Sequence, residues 1–161
     1  PRYKDYQFVV AAAPSRSMSD YSSYIGGRES YVKVVFGQSY AVLRHAEAAV
    51  VNSGTASLET ALIGTPQVVA YKSAEINFLI AKQIIKIKYI SLGNLILNRT
   101  CFRELLQFYF TPENVLEEVI RMIEDTEYRE TMLAGYKEIR DALGGRGASA
   151  AVAKAMIEDM R

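Results

Sequence analysis

Four nearly continuous apolar runs, separated by segments of helical character, constrain the fold of this chain more than any other feature. They are Tyr6-Gln7-Phe8-Val9-Val10-Ala11-Ala12, Val32-Lys33-Val34-Val35-Phe36, Ala48-Ala49-Val50-Val51 and Gln67-Val68-Val69-Ala70-Tyr71. A strand that is apolar along its whole length is buried on both faces, and strands alternating with helices belong to parallel sheets covered on both sides. The expectation is therefore an α/β fold, a Rossmann-like parallel sheet with helices on both faces. Helices are expected from Ser19 to Tyr24, Tyr40 to His45 and Ala56 to Ile63, the last stopped by Gly64 and Pro66. Ala74 to about Ile85 reads as a further helix, and Tyr89-Ile90-Ser91 as a short fifth strand.

After residue 100 the organisation changes to helices alone. Pro112 to Asp125 is amphipathic with proline in its first turn; a second helix runs from about Glu127 to Leu143 and a third from Ala148 to Met160. Gly144-Gly145-Arg146-Gly147 separates the last two and suits a C-cap and a hinge. The expected division is an α/β part over residues 1–100 and C-terminal helices over 101–161. A doubly wound nucleotide domain opens with a strand whose turn feeds the ligand crevice. Here Pro1-Arg2-Tyr3-Lys4-Asp5 leads into a strand that looks like the second in such an order. The sheet is expected to lack its opening strand, either as an unusual domain or as a fragment of a longer polypeptide.

The most chemically suggestive stretch is Val50-Val51-Asn52-Ser53-Gly54-Thr55-Ala56-Ser57-Leu58-Glu59. It reads as a buried strand, a small-residue turn and a helix start. The first N–H groups of a helix lack partners and its dipole favours anions, so such a turn suits a phosphate. With Thr55 taken as N-cap, Glu59 lies four residues on and shares its face, where a carboxylate could reach ribose hydroxyls. By pattern alone, a solvated acid near a helix start is the commoner use of such a glutamate, and an ordinary strand-to-helix turn is as good a reading of the segment.

Composition narrows the field. The chain has 161 residues, half of them hydrophobic, so one ordinary domain can bury a sizeable core. A single cysteine, Cys101, excludes an internal disulfide and fits a reducing compartment; it reads as a packed, inert thiol. No apolar run is long enough to span a bilayer, and no signal segment opens the chain. The formal charge of +1 is unevenly spread. Residues 72–103 carry six basic residues against Glu75 alone, whereas residues 112–161 carry eleven acids against seven bases. The basic part invites an anionic ligand or surface, and the tail reads as solvated helix faces. No basic stripe with interleaved aromatics supports nucleic acid. One histidine, His45, reads as structural, and with scattered acids it makes no metal-ligand cluster. The segment Phe78 to Lys88 is apolar with lysines interspersed; Lys82, Lys86 and Lys88 are candidates for a membrane surface, against a helix that covers the sheet and turns its lysines to water.

Three blocks together resemble the carboxy-terminal half of the lipid-A-disaccharide synthases, inverting glycosyltransferases with two Rossmann domains. They are Ser53 to Tyr71, then Lys88-Tyr89-Ile90-Ser91-Leu92-Gly93-Asn94-Leu95-Ile96 with Arg99 and Glu104-Leu105-Leu106-Gln107, then Leu143-Gly144-Gly145-Arg146-Gly147-Ala148-Ser149. The resemblance implies transfer of 2,3-diacylglucosamine from UDP to 2,3-diacylglucosamine-1-phosphate, forming the lipid A disaccharide. It implies a cytoplasmic enzyme, peripheral at the anionic inner-membrane surface, with no metal and no cofactor. Ser53, Gly54 and Thr55 then face the diphosphate, Glu59 the ribose, and Asn94 and Arg99 the active-site cleft. Gln107 ends the matching helix and contacts the nucleotide. The chain departs from the family's pattern at Gly93, where proline is usual, and at Asn98 and Thr100, where glycine and glutamate are usual. Family members carry their probable general base in an amino-terminal domain, so no catalytic residue is assigned here and the chain alone is expected to be inactive. The C-terminal helices either pack on their own domain or exchange with a second protomer to give a homodimer. The alternative is a nucleotide-binding α/β module without transferase chemistry; a UDP-sugar epimerase would need more histidines and carboxylates than the chain offers.

Overall fold

The computed structural model describes residues 3–52, 54–72, 88–144 and 156–159. The α/β expectation holds: every strand pairing is parallel, and helices connect the strands. The chain divides into two compact units, residues 1–46 and 47–161.

In the first unit, β1 (Phe8–Ala12) pairs in parallel with β2 (Val32–Phe36), from Phe8 opposite Val32 to Ala12 opposite Phe36. Between them runs α1 (Met18–Ile25), and α2 (Ser39–His45) follows β2. Ser17 and Asp20 start α1: the Ser17 N–H donates to Asp20 Oδ2 at 2.8 Å and its hydroxyl to the same oxygen at 3.0 Å. Those two bonds, with smaller help from Arg16, hold the Asp20 carboxyl below its usual range. Ala12 alone is buried among the described residues of this unit.

The second unit holds a three-stranded sheet in the order β3 (Ala49–Asn52), β4 (Gln67–Tyr71), β5 (Glu104–Leu106). Ala49 lies opposite Gln67 and Val69 opposite Glu104. Helix α3 (Thr55–Ile63) joins the first two strands, and α4 (Leu92–Leu97) precedes β5. A 3-10 turn (Gln107–Tyr109) leads to α5 (Pro112–Glu124) and α6 (Thr126–Leu143); residues 156–159 are again helical. Thr111 caps α5 by accepting from the Asn114 N–H at 3.2 Å, and Asp125 caps α6 by accepting from the Tyr128 N–H at 2.9 Å.

Gln67 to Ala70 of the central strand are buried, as a strand covered on both faces requires. Val68 and Val69 meet Phe102, Leu105, Met122, Met132, Tyr136 and Ile139 in one core, so α5 and α6 supply much of what covers the sheet. Gly135 lets α6 approach the 101–102 loop: a Cβ there would stand 2.3 Å from Cys101 Sγ. Between β5, α5 and α6, the fully buried Glu118 accepts from Arg103 Nη1 at 3.3 Å and from the Tyr128 hydroxyl. Gln67 braces the sheet to α3 by donating from Nε2 to the Ser57 carbonyl at 2.8 Å, both residues being buried.

Two expectations are corrected. Tyr89-Ile90-Ser91 is no strand but a bend entering α4, because the Glu104 carboxylate takes the Ile90 N–H at 2.9 Å and the Ser91 N–H at 3.1 Å, donors a ladder would need. The fifth strand is instead Glu104–Leu106, a stretch expected to be helical that pairs with Val69–Tyr71; tertiary pairing overrides the weak helical preference of three residues. The helix expected from Ala74 to Ile85 lies outside the described residues, as do Gly145 to Gly147.

Candidate functional site

The β3–α3 turn is built around Gly54, whose φ of +113° and ψ of −153° suit only glycine. Gly54, not Thr55, is the N-cap, and Thr55 is the first helical residue. The Gly54 carbonyl accepts from the Ser57 hydroxyl at 2.7 Å and the Ser57 N–H at 3.2 Å, which tightens the first turn. The start of α3, like those of the shorter α2 and α4, has no side-chain cap, whereas Thr111 and Asp125 cap α5 and α6. Thr55 and Ala56 are exposed there, so this helix offers its positive end to solvent. Glu59 is also exposed, one turn on and on the face of Thr55. Ser53 lies outside the described residues.

Asn94 sits elsewhere and is used differently. It is fully buried on α4, and each atom of its amide is engaged. Its Oδ1 accepts from the Cys101 N–H at 2.7 Å and the Phe102 N–H at 3.3 Å. Its Nδ2 donates to the Phe102 carbonyl and to Glu104 Oε1, both at 2.9 Å. Glu104, which sequence reasoning left without a role, also accepts from the Ser91 hydroxyl, so one half-buried carboxylate fastens β5 to the start of α4. The only sequence signal for this was an acid placed beside two leucines in a strand too short to show a period.

Two further positions of this segment have a clear steric or backbone demand. Gly93 faces the Phe102 ring, where a Cβ would stand 2.9 Å from ring carbons, so the position accepts little more than a hydrogen. Asn98 ends α4 with φ +50° in the left-handed region, where asparagine is the usual substitute for glycine. Arg99 follows and pairs across the loop with Glu138 at 2.7 Å; that bond favours its charged form further. Cys101 is buried, and burial pushes its thiol up to about 11.

Gln107 lies at the other end of β5, in the 3-10 turn and not in a helix. It is buried with φ +50°, a second left-handed residue that turns the chain sharply out of the sheet. Lys88 is exposed with its Nζ 5.3 Å from the Tyr89 ring centroid; Lys82 and Lys86 lie outside the described residues. Gly54, Thr55 and Glu59 are thus gathered at one helix start, whereas Asn94 lies on α4, bonded to the loop that follows, and Arg99 lies in that α4–β5 loop. Among the described residues, no three His, Cys, Asp or Glu side chains gather as metal ligands, and no helix is long and apolar enough to cross a membrane.

Residues 2–156 match the family model described as Lipid-A-disaccharide synthetase. The chain is 37% identical to the lipid-A-disaccharide synthase of Myxococcus xanthus over 152 residues, 94% of this chain and 40% of that protein. It is 34% identical to that of Anaeromyxobacter dehalogenans over 160 residues, 99% of this chain and 42% of that protein. With the synthase of Trichlorobacter lovleyi it shares 34% identity over 142 residues, covering 88% and 37%. The chain therefore spans about two-fifths of the length of these relatives.

Proposed function

The chain belongs to the lipid-A-disaccharide synthase family, and from that premise we propose that it forms the donor-binding part of a glycosyltransferase. The reaction would move 2,3-diacylglucosamine from UDP to 2,3-diacylglucosamine-1-phosphate, with inversion at the sugar and release of UDP. The observation that carries the reading is the uncapped start of α3 behind Gly54, joined to a family match that runs through this turn. In the proposed complex the diphosphate lies against the N–H groups of Thr55 and Ala56, beside Ser53. There the helix end stabilises the charge that grows on the leaving UDP as the glycosidic bond breaks. Glu59 accepts from the ribose hydroxyls.

Asn94 acts through the loop it builds, since its amide is already engaged within the protein, and it holds Arg99 at the cleft. Gln107 completes the nucleotide side from the end of β5. Residues 1–100 together with β5 make the donor-binding part, α5 and α6 help cover its β3–β4–β5 sheet, and any exchange of helices between two protomers involves the segment after Gly144. The enzyme works at the cytoplasmic face of the inner membrane, with Lys82, Lys86 and Lys88 toward anionic lipid. The acceptor-side groups and the general base come from outside this chain.

Calorimetric titration of UDP tests the reading. Gly54→Val and Glu59→Ala should each weaken UDP roughly tenfold or more, as loss of charge-assisted hydrogen bonds does. The chain alone should transfer no sugar. Unchanged UDP affinity in both variants, or robust turnover by this polypeptide, sinks the assignment. Tight binding of UDP with no preference for the acylated donor would favour a nucleotide-binding module without transferase chemistry.

A further inference from the structure

Phe108, Tyr109 and Phe110 are 77%, 70% and 40% exposed at the end of β5. Three consecutive exposed aromatics are an apolar surface in want of a partner. They are not on a loose loop. The Tyr109 carbonyl accepts from Asn114 Nδ2 at 2.8 Å and from the Thr111 N–H at 3.0 Å, and the Phe110 N–H donates to the Gln107 carbonyl at 3.2 Å. Buried Gln107, in its left-handed conformation, aims the turn outward.

Because β3, β4 and β5 are parallel neighbours, their C-terminal ends Asn52, Tyr71 and Leu106 lie along one edge of the sheet. Strands are spaced about 4.8 Å apart, so the ends of β3 and β5, from which the two turns leave, lie about 10 Å apart. Exposed Lys72 follows the middle strand, between the two. The edge thus passes from an uncapped helix start, past an ammonium group, to aromatic rings. That order fits an anionic amphiphile. With the ribose held by Glu59, the sugar end of a bound diphosphate is the end left to run along the sheet edge.

We propose that Phe108, Tyr109 and Phe110 receive a hydrocarbon chain of the nucleoside-diphosphate sugar whose phosphates sit at the β3–α3 turn. This subsite rests on the donor-binding reading above, and deepens it by naming where the acyl part of the ligand goes. The occupant is the chain of the bound donor; a nucleobase or a bilayer are the competing occupants.

The sequence contains no tryptophan, so Phe108→Trp places a single indole at the site. UDP-2,3-diacylglucosamine should shift its emission to the blue and UDP should not. The double variant Phe108→Ser, Phe110→Ser should weaken the acylated donor roughly tenfold, from lost apolar burial, and leave UDP affinity unchanged. A blue shift with UDP alone would place the base there, and one with phosphatidylglycerol vesicles lacking donor would make the turn a bilayer contact. Either result overturns the proposal, as does full affinity for the acylated donor in the double variant. If serine at these positions disturbs folding, seen by circular dichroism, the indole readout still decides. UDP binding with no acyl-dependent shift removes this subsite alone, whereas failure of UDP to bind removes the donor reading with it.

Discussion

Residues 3–46 and 47–144 start from the same parts, parallel strands with a helix between, but only the second unit buries what its strands provide. In the first, β1 and β2 leave Phe8, Val9 and Phe36 exposed, and Ala12 is the one buried residue described. In the second, β4 is buried from Gln67 to Ala70, with Phe102, Met132, Tyr136 and Ile139 enclosed around it. The difference lies in the helices. A parallel sheet needs cover on both faces, and α3, α5 and α6 all bury residues in the second unit, whereas α1 and α2 contribute no buried residue to the first. Apolar strands alone do not make a core; the elements that close over them do.

The sharpest way to break this contrast is to hollow out the second unit. Phe102→Ala removes a fully enclosed ring and should cost about 3–5 kcal/mol in urea unfolding. A loss below about 1 kcal/mol would mean that the core is not where the stability resides.

A smaller effect concerns pH. Burial raises the Cys101 thiol from 9.0 to about 11, so the folded state keeps a proton that the unfolded chain gives up. That contribution is fully present below pH 9 and is lost as pH rises through 11, a decline of order 2 kcal/mol. Urea melts of wild type and Cys101→Ala between pH 8.5 and 11 should converge at the alkaline end. Parallel curves would show that the thiol titrates alike in both states. The smallest effect is expected in the first unit, where Tyr24→Ser alters a side chain 78% exposed and should change stability by no more than about 0.5 kcal/mol. A loss near that of Phe102→Ala would erase the distinction between the units.

Much of the fold was legible because its signals are local. β2 and β4 fall on the residues expected, since each apolar run is nearly continuous and followed by turn formers or polar residues. α3 ends at Gly64 with φ +98°, the stop that glycine and a following proline announce. What escaped was long-range. Tyr89-Ile90-Ser91 has strand-forming side chains, yet its N–H groups are claimed by Glu104, more than a dozen residues away in sequence. Glu104-Leu105-Leu106 has none of the β-branched character of a strand, and only its pairing with β4 makes it one. In the candidate site, Gly54 could be placed because its backbone demand is written in its residue type. The burial of Asn94 and the pairing of Arg99 with Glu138 depend on partners that no spacing reveals.

The brace from Gln67 to Ser57 has a mechanical consequence. Its two ends lie in the middle of the sheet and in the opening turn of α3, both shut away from water. Turning the helix about its own axis would break that bond and leave the Gln67 amide N–H without an acceptor in the interior. Whatever docks at its mouth therefore meets a fixed bearing, and force applied there passes straight into the central strand.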